Sequence, residues 1–305
     1  MSATMLQLVQ QAANELGIAA PSTVAGNTNQ DVVQMLALLN ASGYELMDKH
    51  AWRGLTKIHQ FYTEYVTTTG SWVDGAYTIT GIPSTTGLDT TYGVVGPNVG
   101  IPQNCFIASV DSATQVTLNQ TVEETETSQT VYFQKMKYSL PSDYQGPVNR
   151  TQWDKSKHWE MLGPTDAQQW EWLTSGFIST GPRVRWRLLG QYFQIWPGFS
   201  NAEFLGFEYV SNSWASSAAG VAKSSFTVDT DTCIYPDRLM VIDLKLKYFE
   251  AKGFDTTSMY RDFLTQLEAG IAKDQGAANL SFAPRPGELL IGWDQIPDSG
   301  YGITS

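Results

Sequence analysis

The sequence predicts an α+β fold in which N- and C-terminal helices form a helical bundle and the middle of the chain is β-rich. Three patterns predict it: an amphipathic helical pair at the start, a second pair near the end, and short period-two runs between them. The apolar stripes of both helical pairs are too wide to stay in water, so we expect them to pack together. An all-β segment would then be inserted into this one domain.

The first helical pair occupies the first fifty residues. Apolar residues of the first helix recur at steps of three and four, at Leu6, Val9, Ala13 and Leu16. Ser2 or Thr4 is placed to cap this helix, and Gly17 is placed to end it. The second helix is predicted to begin at the Asn-Thr-Asn segment 27–29 and to run to about His50.

Period-two alternation begins at Leu55 and predicts a strand. Residues 67–132 are rich in Thr, Gly, Val and Ser and predict a small β-module of five or six short strands. Beyond it, Thr165 and Gln168 have the spacing of a capping box, which predicts a short helix. Three further strands are expected at 183–189, 191–196 and 203–210.

The second helical pair is predicted to start after Pro236 and to run, with a break at Gly253, to about Lys273. The Pro- and Gly-containing residues 276–305 then read as an extended arm. The predicted organisation has three parts. They are a main body of residues 1–66 and 133–275, an inserted β-module of residues 67–132, and the C-terminal arm of residues 276–305.

Composition limits the classes of function. The formal net charge is −11, which argues against tight binding of nucleic acid phosphates. Charged residues are only 16% of the chain and aromatic residues 12%. Both β-structure and extensive interfaces explain that balance. The two cysteines form no metal-binding spacing, and no apolar run is long enough to predict a membrane span.

No arrangement of residues predicts catalysis. His158 and Glu160 lack the cysteine partners of a zinc deaminase. Asp154 and Glu160 are a conceivable acid and base pair for glycoside cleavage, and the nearby tryptophans are conceivable sugar-stacking groups. These tryptophans are Trp153, Trp159, Trp170 and Trp172. We nevertheless expect no enzymatic activity, no cofactor and no metal ion.

Two sets of residues are predicted to form interfaces. Arg183, Arg185 and Arg187 share one face of a predicted strand, so they need anionic partners. Those partners are carboxylates of the same chain, an acidic neighbouring subunit or DNA phosphate. The arm is too apolar for a solvated tail and is predicted to dock on another surface, with folding back on its own subunit as the alternative. Its interface residues would be Phe282, Leu289, Ile291 and Trp293, with Ile291 and Trp293 as the anchors.

Whole segments of the chain resemble a known family. These segments are RTQWDKSKHWEMLGPTDAQQWEWLTSG, YFQIWP, LGFEYVSNSW and TDTCIYPDRLMVIDLKLKYFEAKGFD, together with the opening LQLVQQAANELGIAAPSTVAGNTNQDVVQMLALLNASGYELMDKHAW. In this order they resemble the head-to-tail adaptor proteins, also called connector or tail tubular proteins, of short-tailed bacteriophages. The resemblance covers residues 2–278 and carries no catalytic motif.

The resemblance implies a structural virion protein in the neck or tail, made and assembled in the host cytoplasm. Its copies would form a ring of about twelve under the portal protein. The ring would lead to the tail nozzle protein, close the head and guide genomic DNA during ejection without specific binding. Tail fibres are a further candidate partner. The arm is expected to reach into neighbouring proteins, above all the portal.

A second class of function remains open at this stage. A carbohydrate- or receptor-binding phage protein would use the β-module and exposed aromatic side chains. An exposed aromatic platform favours that function, whereas tryptophans buried in the core argue against it.

Overall fold

The structure is a computed structural model that describes residues 2–95, 100–102, 105–174 and 183–275. These residues divide into two compact units, which are described separately below. Unit 1 comprises the residues up to Lys57, Asp143–Pro147 and those from Tyr209 onward. Unit 2 comprises Ile58–Ser142 and the described part of Val148–Glu208.

The prediction of a fold class based on a helical bundle is wrong, because the structure is β-rich. The five helices of the described residues are short and scattered through the chain, and the largest sheet is a nearly closed, barrel-like antiparallel sheet. The apolar helix faces are covered partly by residues outside helices. Trp214, Ala215 and Phe226 belong to the same buried cluster as the helices of unit 1. An apolar stripe therefore needed a partner surface, but that surface did not have to be helical.

The helices begin and end at local signals. They are α1 (Met5–Leu16), α2 (Gln30–Lys49), α3 (Ala167–Thr174), α4 (Asp237–Lys252) and α5 (Thr257–Gln275). The Thr4 hydroxyl accepts a hydrogen bond from the Gln7 amide, and Gly17 ends α1 in the left-handed region. Asn29 caps α2. These caps confirm the predicted starts of both helices. In unit 1, α4 packs against α1, α2 and α5.

Strands account for most of the elements. In chain order they are β1 (Thr56–Tyr62), β2 (Tyr65–Trp72), β3 (Thr78–Ile79), β4 (Tyr92–Val95), β5 (Cys105–Ser112), β6 (Gln115–Leu118), β7 (Glu126–Lys135), β8 (Lys137–Ser139), β9 (Tyr144–Pro147), β10 (Trp153–Asp154), β11 (Trp159–Glu160), β12 (Arg185–Leu189), β13 (Tyr192–Trp196), β14 (Phe204–Ser211), β15 (Ala215–Ser216), β16 (Ala222–Lys223) and β17 (Thr232–Cys233). In unit 1, β16, β15 and β17 form a small sheet, and β9 pairs with the end of β14.

The barrel-like sheet lies in unit 2 and has the strand order β2-β7-β4-β5-β6-β3. Ser71 and Thr80 exchange two backbone hydrogen bonds of 2.8 Å each, which bring the two edges of the sheet together. Its interior is apolar, with Trp72, Ile79 and Phe133 among the buried side chains. The sheet extends from Tyr65 to Lys135. That residues 67–132 form a separate module inserted into one domain stays a prediction.

Two more sheets complete the described part of unit 2. One contains β1, β14, β10 and β11 in that order, and the other contains β12, β13 and β8. Gly190, with a φ of 60°, makes the turn between β12 and β13. The cap of α3 differs from the prediction. The Asp166 carboxylate accepts the Gln169 amide at 2.7 Å, whereas the Thr165 amide donates to the Trp186 carbonyl.

Candidate functional site

The three predicted arginines lie along β12 and just before it. Val184 and Trp186 are buried, whereas Arg183 is exposed and Arg185 and Arg187 are half-buried. Since successive side chains of a strand point to opposite faces, Arg185 and Arg187 share the side away from Trp186. Arg183 lies in a bend before β12, so the predicted shared strand face is confirmed for Arg185 and Arg187 alone.

A fourth cation joins them through strand pairing. Gln194 on β13 lies opposite Arg187, and Lys137 on β8 lies on the other side of Gln194. The Arg187 Nε donates a hydrogen bond of 3.0 Å to Gln194 Oε1, and the guanidinium lies 4.4 Å from the ring centre of Trp170. Sequence reasoning missed Lys137, because β8 has only three residues and its partner strand is distant. We name Arg183, Arg185, Arg187 and Lys137 the arginine face.

The arginine face lacks carboxylate partners among the described residues. None of the ion pairs found there includes one of its four members. Burial lowers the pKa of Lys137, and the charge of Arg187 lowers it further. Burial also lowers the pKa of Arg187, against an opposing effect of Glu171. In the same described set, the buried Arg185 Nε has no hydrogen-bond partner. Of the carboxylates of the described chain, Glu171 acts on Arg187 through its charge without forming an ion pair, so all three predicted kinds of partner stay predictions.

A second surface of unit 2 exposes large apolar side chains. Ile58 and Tyr62 of β1 are 62% and 63% exposed, and Trp153 of β10 is 39% exposed. The rings of Tyr62 and Phe204 lie 4.9 Å apart. Trp153 pairs with Gly206, two residues beyond Phe204, so all of these side chains share one face of the sheet. We name Ile58, Tyr62, Trp153 and Phe204 the aromatic platform.

The four tryptophans considered for sugar stacking are not gathered into one site. Trp153 and Trp172 are exposed, and Trp159 is half-buried. Trp170 is only 5% exposed and packs beneath Arg187. Only Trp153 therefore belongs to the aromatic platform. Its partners Tyr62 and Phe204 were not identified from the sequence, because strand pairing brings them together.

The carboxylates considered for glycoside cleavage point to opposite faces of the β10-β11 hairpin. Asp154 pairs with Trp159, whereas Glu160 pairs with Trp153. Asp154 is buried, and burial together with the charge of Glu203 raises its pKa. Its carboxylate accepts the amides of two following turn residues at 3.1 Å. An acid and a base on opposite faces cannot flank one glycosidic bond.

Three further titratable groups considered in the sequence or buried in the structure lie against structural neighbours. His50 Nε2 lies 3.2 Å from the Asp274 carboxylate, a pairing that the sequence did not indicate. Burial lowers the pKa of His59, which packs against Phe61. Cys105 is buried, which raises the pKa of its thiol to about 11. Within the described ranges no group of three or more His, Cys, Asp or Glu residues is placed to hold a metal ion.

No helix in the part of the chain that the structure describes has the length and apolar character needed to cross a membrane. The predicted anchors of the arm, Phe282, Leu289, Ile291 and Trp293, lie outside the described residues.

Neither protein-family models nor curated proteins gave a match to this chain. Its function is therefore inferred from the surfaces described above and from the resemblance of its segments.

Proposed function

We propose that this protein is a structural phage adaptor whose copies form a ring between the portal protein and the tail nozzle protein. The observation that carries the proposal is the pair of unsatisfied surfaces on unit 2. The aromatic platform exposes apolar rings, and the arginine face holds half-buried cations without carboxylate partners among the described residues. Surfaces of this kind are typical of protein interfaces, where aromatic residues and arginine are enriched.

The charge of the chain fits a conduit for DNA. A net charge of −11 per copy repels phosphate and would let genomic DNA slide past the ring wall during ejection. The same ring would close the head after packaging. Further contacts are proposed with tail fibres, and the protein would reside in the virion neck after assembly in the host cytoplasm.

The C-terminal arm supplies the proposed contact with the portal protein. Its apolar residues Phe282, Leu289, Ile291 and Trp293 follow α5 directly in the sequence. Aromatic and aliphatic anchors that enter pockets on a partner supply most of the binding energy in many interfaces.

Electron microscopy of the purified full-length protein mixed with its portal protein tests this function. We expect collars attached to one end of the portal ring. The number of adaptor copies should equal the number of portal subunits or stand in a fixed ratio to it. A protein that neither binds the portal nor forms rings at any tested concentration would contradict the proposal.

The aromatic platform also favours a second candidate, a carbohydrate- or receptor-binding phage protein. Sugars stack on exposed Trp and Tyr rings, and Tyr62, Phe204 and Trp153 offer such rings on one flat sheet face. Binding of host surface glycans that is lost in Trp153→Ala, and kept in Trp172→Ala, would support this candidate. Trp172 is similarly exposed but lies on α3, outside the platform.

A further inference from the structure

Within the described ranges, the arginine face forms no ion pair with a carboxylate. Glu171 influences the pKa of Arg187 but forms no ion pair with it among the described contacts. Residues 175–182, which precede the face in the sequence, contain no Asp or Glu. Arg187 contacts Gln194 and Trp170, and Lys137 contacts the Thr90 carbonyl and Phe106. These partners are neutral, so an incoming anion would add the charge compensation that they do not give.

A cluster of carboxylates lies at one end of the barrel-like sheet. The Gly75 amide donates to the Val122 carbonyl at 2.9 Å, and the Asp74 amide donates to the Thr125 hydroxyl at 2.9 Å, so two turns lie side by side. We name their four carboxylates the acidic tip: Asp74, Glu123, Glu124 and Glu126. Like the arginine face, these residues appear in none of the ion pairs of the described chain.

The acidic tip and the arginine face of one copy are far apart. Strand β7 begins at Glu126 in the tip and ends at Lys135, two residues before Lys137 of the arginine face. At the usual rise of an extended strand, its ten residues span about 30 Å. The carboxylates of the tip therefore cannot neutralise the arginine face of the same unit.

We propose that the acidic tip of one copy docks on the arginine face of a second copy of this chain. The charges are complementary, with four carboxylates on one surface and four cations on the other. Tyr77 next to the tip and Leu189 at the end of β12 are 53% exposed each and supply apolar contacts beside the charges. Because the two surfaces differ, the contact is head-to-tail, and repetition of it closes into a ring or extends a filament. This inference rests on the proposed function and identifies the contact between neighbouring subunits of the ring.

A charge-swap experiment on the full-length protein tests the contact. The tip variant carries Glu123→Lys and Glu124→Lys, and the face variant carries Arg183→Glu and Arg185→Glu. Because Arg185 is half-buried, a second face variant carries Arg183→Glu alone. A control variant carries Asp262→Lys and Glu268→Lys, two exposed residues of α5, and changes the net charge as much as the tip variant does. Circular dichroism and thermal melting show that each variant is folded.

Sedimentation equilibrium at low ionic strength measures self-association. We expect the wild type and the control variant to self-associate, and we expect this association to weaken with added salt. The tip and face variants alone should associate at least about tenfold more weakly. An equal mixture of the two should regain association, because the unchanged tip of the face variant then meets the unchanged face of the tip variant. The inference is overturned if the wild type stays monomeric up to about 1 mM, or if the mixture of the tip and face variants associates no better than either variant alone.

Three further outcomes distinguish a failure of the inferred contact from a failure of the proposed function. Retention of duplex DNA by the wild type and not by the face variant, without self-association, would assign the arginine face to nucleic acid and overturn the inference. Portal-bound rings that form equally well from the tip variant overturn the inference and leave the proposed function intact. Charge-swap restoration without any portal binding supports the inference and contradicts the proposed function.

Discussion

At the scale of single residues, the packing of Gly43 against Trp214 gives the sharpest prediction. Gly43 lies inside α2, where Ala would ordinarily stabilise the helix by about 1 kcal/mol. A Cβ at this position would enter the ring of Trp214. That ring is fully buried and fixed by Phe226 and Tyr235, so it cannot move away. We expect Gly43→Ala to lower the free energy of unfolding by about 2 kcal/mol, measured by urea denaturation.

Gly146→Ala is the matched control. No atom lies within 4 Å of a Cβ built on Gly146, and its backbone does not require glycine. Its stability should stay within about 0.5 kcal/mol of the wild type. A Gly43→Ala protein as stable as this control would show that the ring of Trp214 is not held in place.

Asp143 predicts a dependence of stability on pH. Its carboxylate accepts hydrogen bonds from Lys57, Ser211 and Tyr209 at 2.6, 2.7 and 2.9 Å. Burial alone would raise the pKa of Asp143, but these partners outweigh it and lower the pKa to about 2. Because the pKa is lower in the folded state, the stabilisation is complete above about pH 4 and is lost as the pH falls through 2.

The corresponding variant is Asp143→Asn. Its free energy of unfolding at pH 7 should be about 2 kcal/mol below that of the wild type, and the difference should vanish near pH 2. Urea titrations at pH 7, 4 and 2 measure it. Asp74→Asn, at an exposed position without an ion pair among the described residues, should show no such difference. A constant difference at all three pH values would show that the ionised form of Asp143 is not what stabilises the fold.

At the scale of elements, the barrel-like sheet is predicted to be separable. Thr67 and Tyr132 are cross-strand partners, so the ends of a cut at these residues are about 5 Å apart. Deletion of residues 67–132 with a Gly-Gly linker should leave a chain that melts cooperatively. The segment Tyr65–Lys135 alone should keep Trp72, its single tryptophan, buried, with blue-shifted fluorescence. Deletion of residues 67–112 serves as the control, because it removes the partners of β6 and β7 and should give an insoluble protein.

Elements were predictable where their signals are local. The cap at Thr4, the end of α1 at Gly17 and the β12-β13 turn at Gly190 depend on residues close in sequence. The fold class was not predictable in this way. Short strands such as β10, β15 and β17 have two residues each, and their hydrogen bonds go to remote partners. A two-residue segment is too short to show a period-two pattern, so these strands could not be predicted from the sequence. The fold class was therefore assigned from the helices, and the β content of the chain was underestimated.

At the scale of the whole molecule, the candidate surfaces were predictable only within a strand. Arg185 and Arg187 could be assigned to one face because alternation along a strand is local. Lys137 and the aromatic platform come from strands that are distant in sequence and are joined by pairing alone. The proposed assembly depends on both kinds of surface, of which sequence reasoning identified the arginines and missed Lys137 and the aromatic platform.

The last prediction concerns the C-terminal arm and its proposed docking on the portal protein. Truncation after Ala278 removes Phe282, Leu289, Ile291 and Trp293, and truncation after Pro297 keeps all four. If the arm docks on another protein, the first truncation should abolish attachment to the portal and leave the melting temperature of the free protein unchanged. The second truncation should attach as the full-length chain does. Calorimetry and co-sedimentation with portal rings measure the two quantities. A fall of more than about 5 °C in melting temperature, with attachment intact, would place the arm in the core of its own subunit instead.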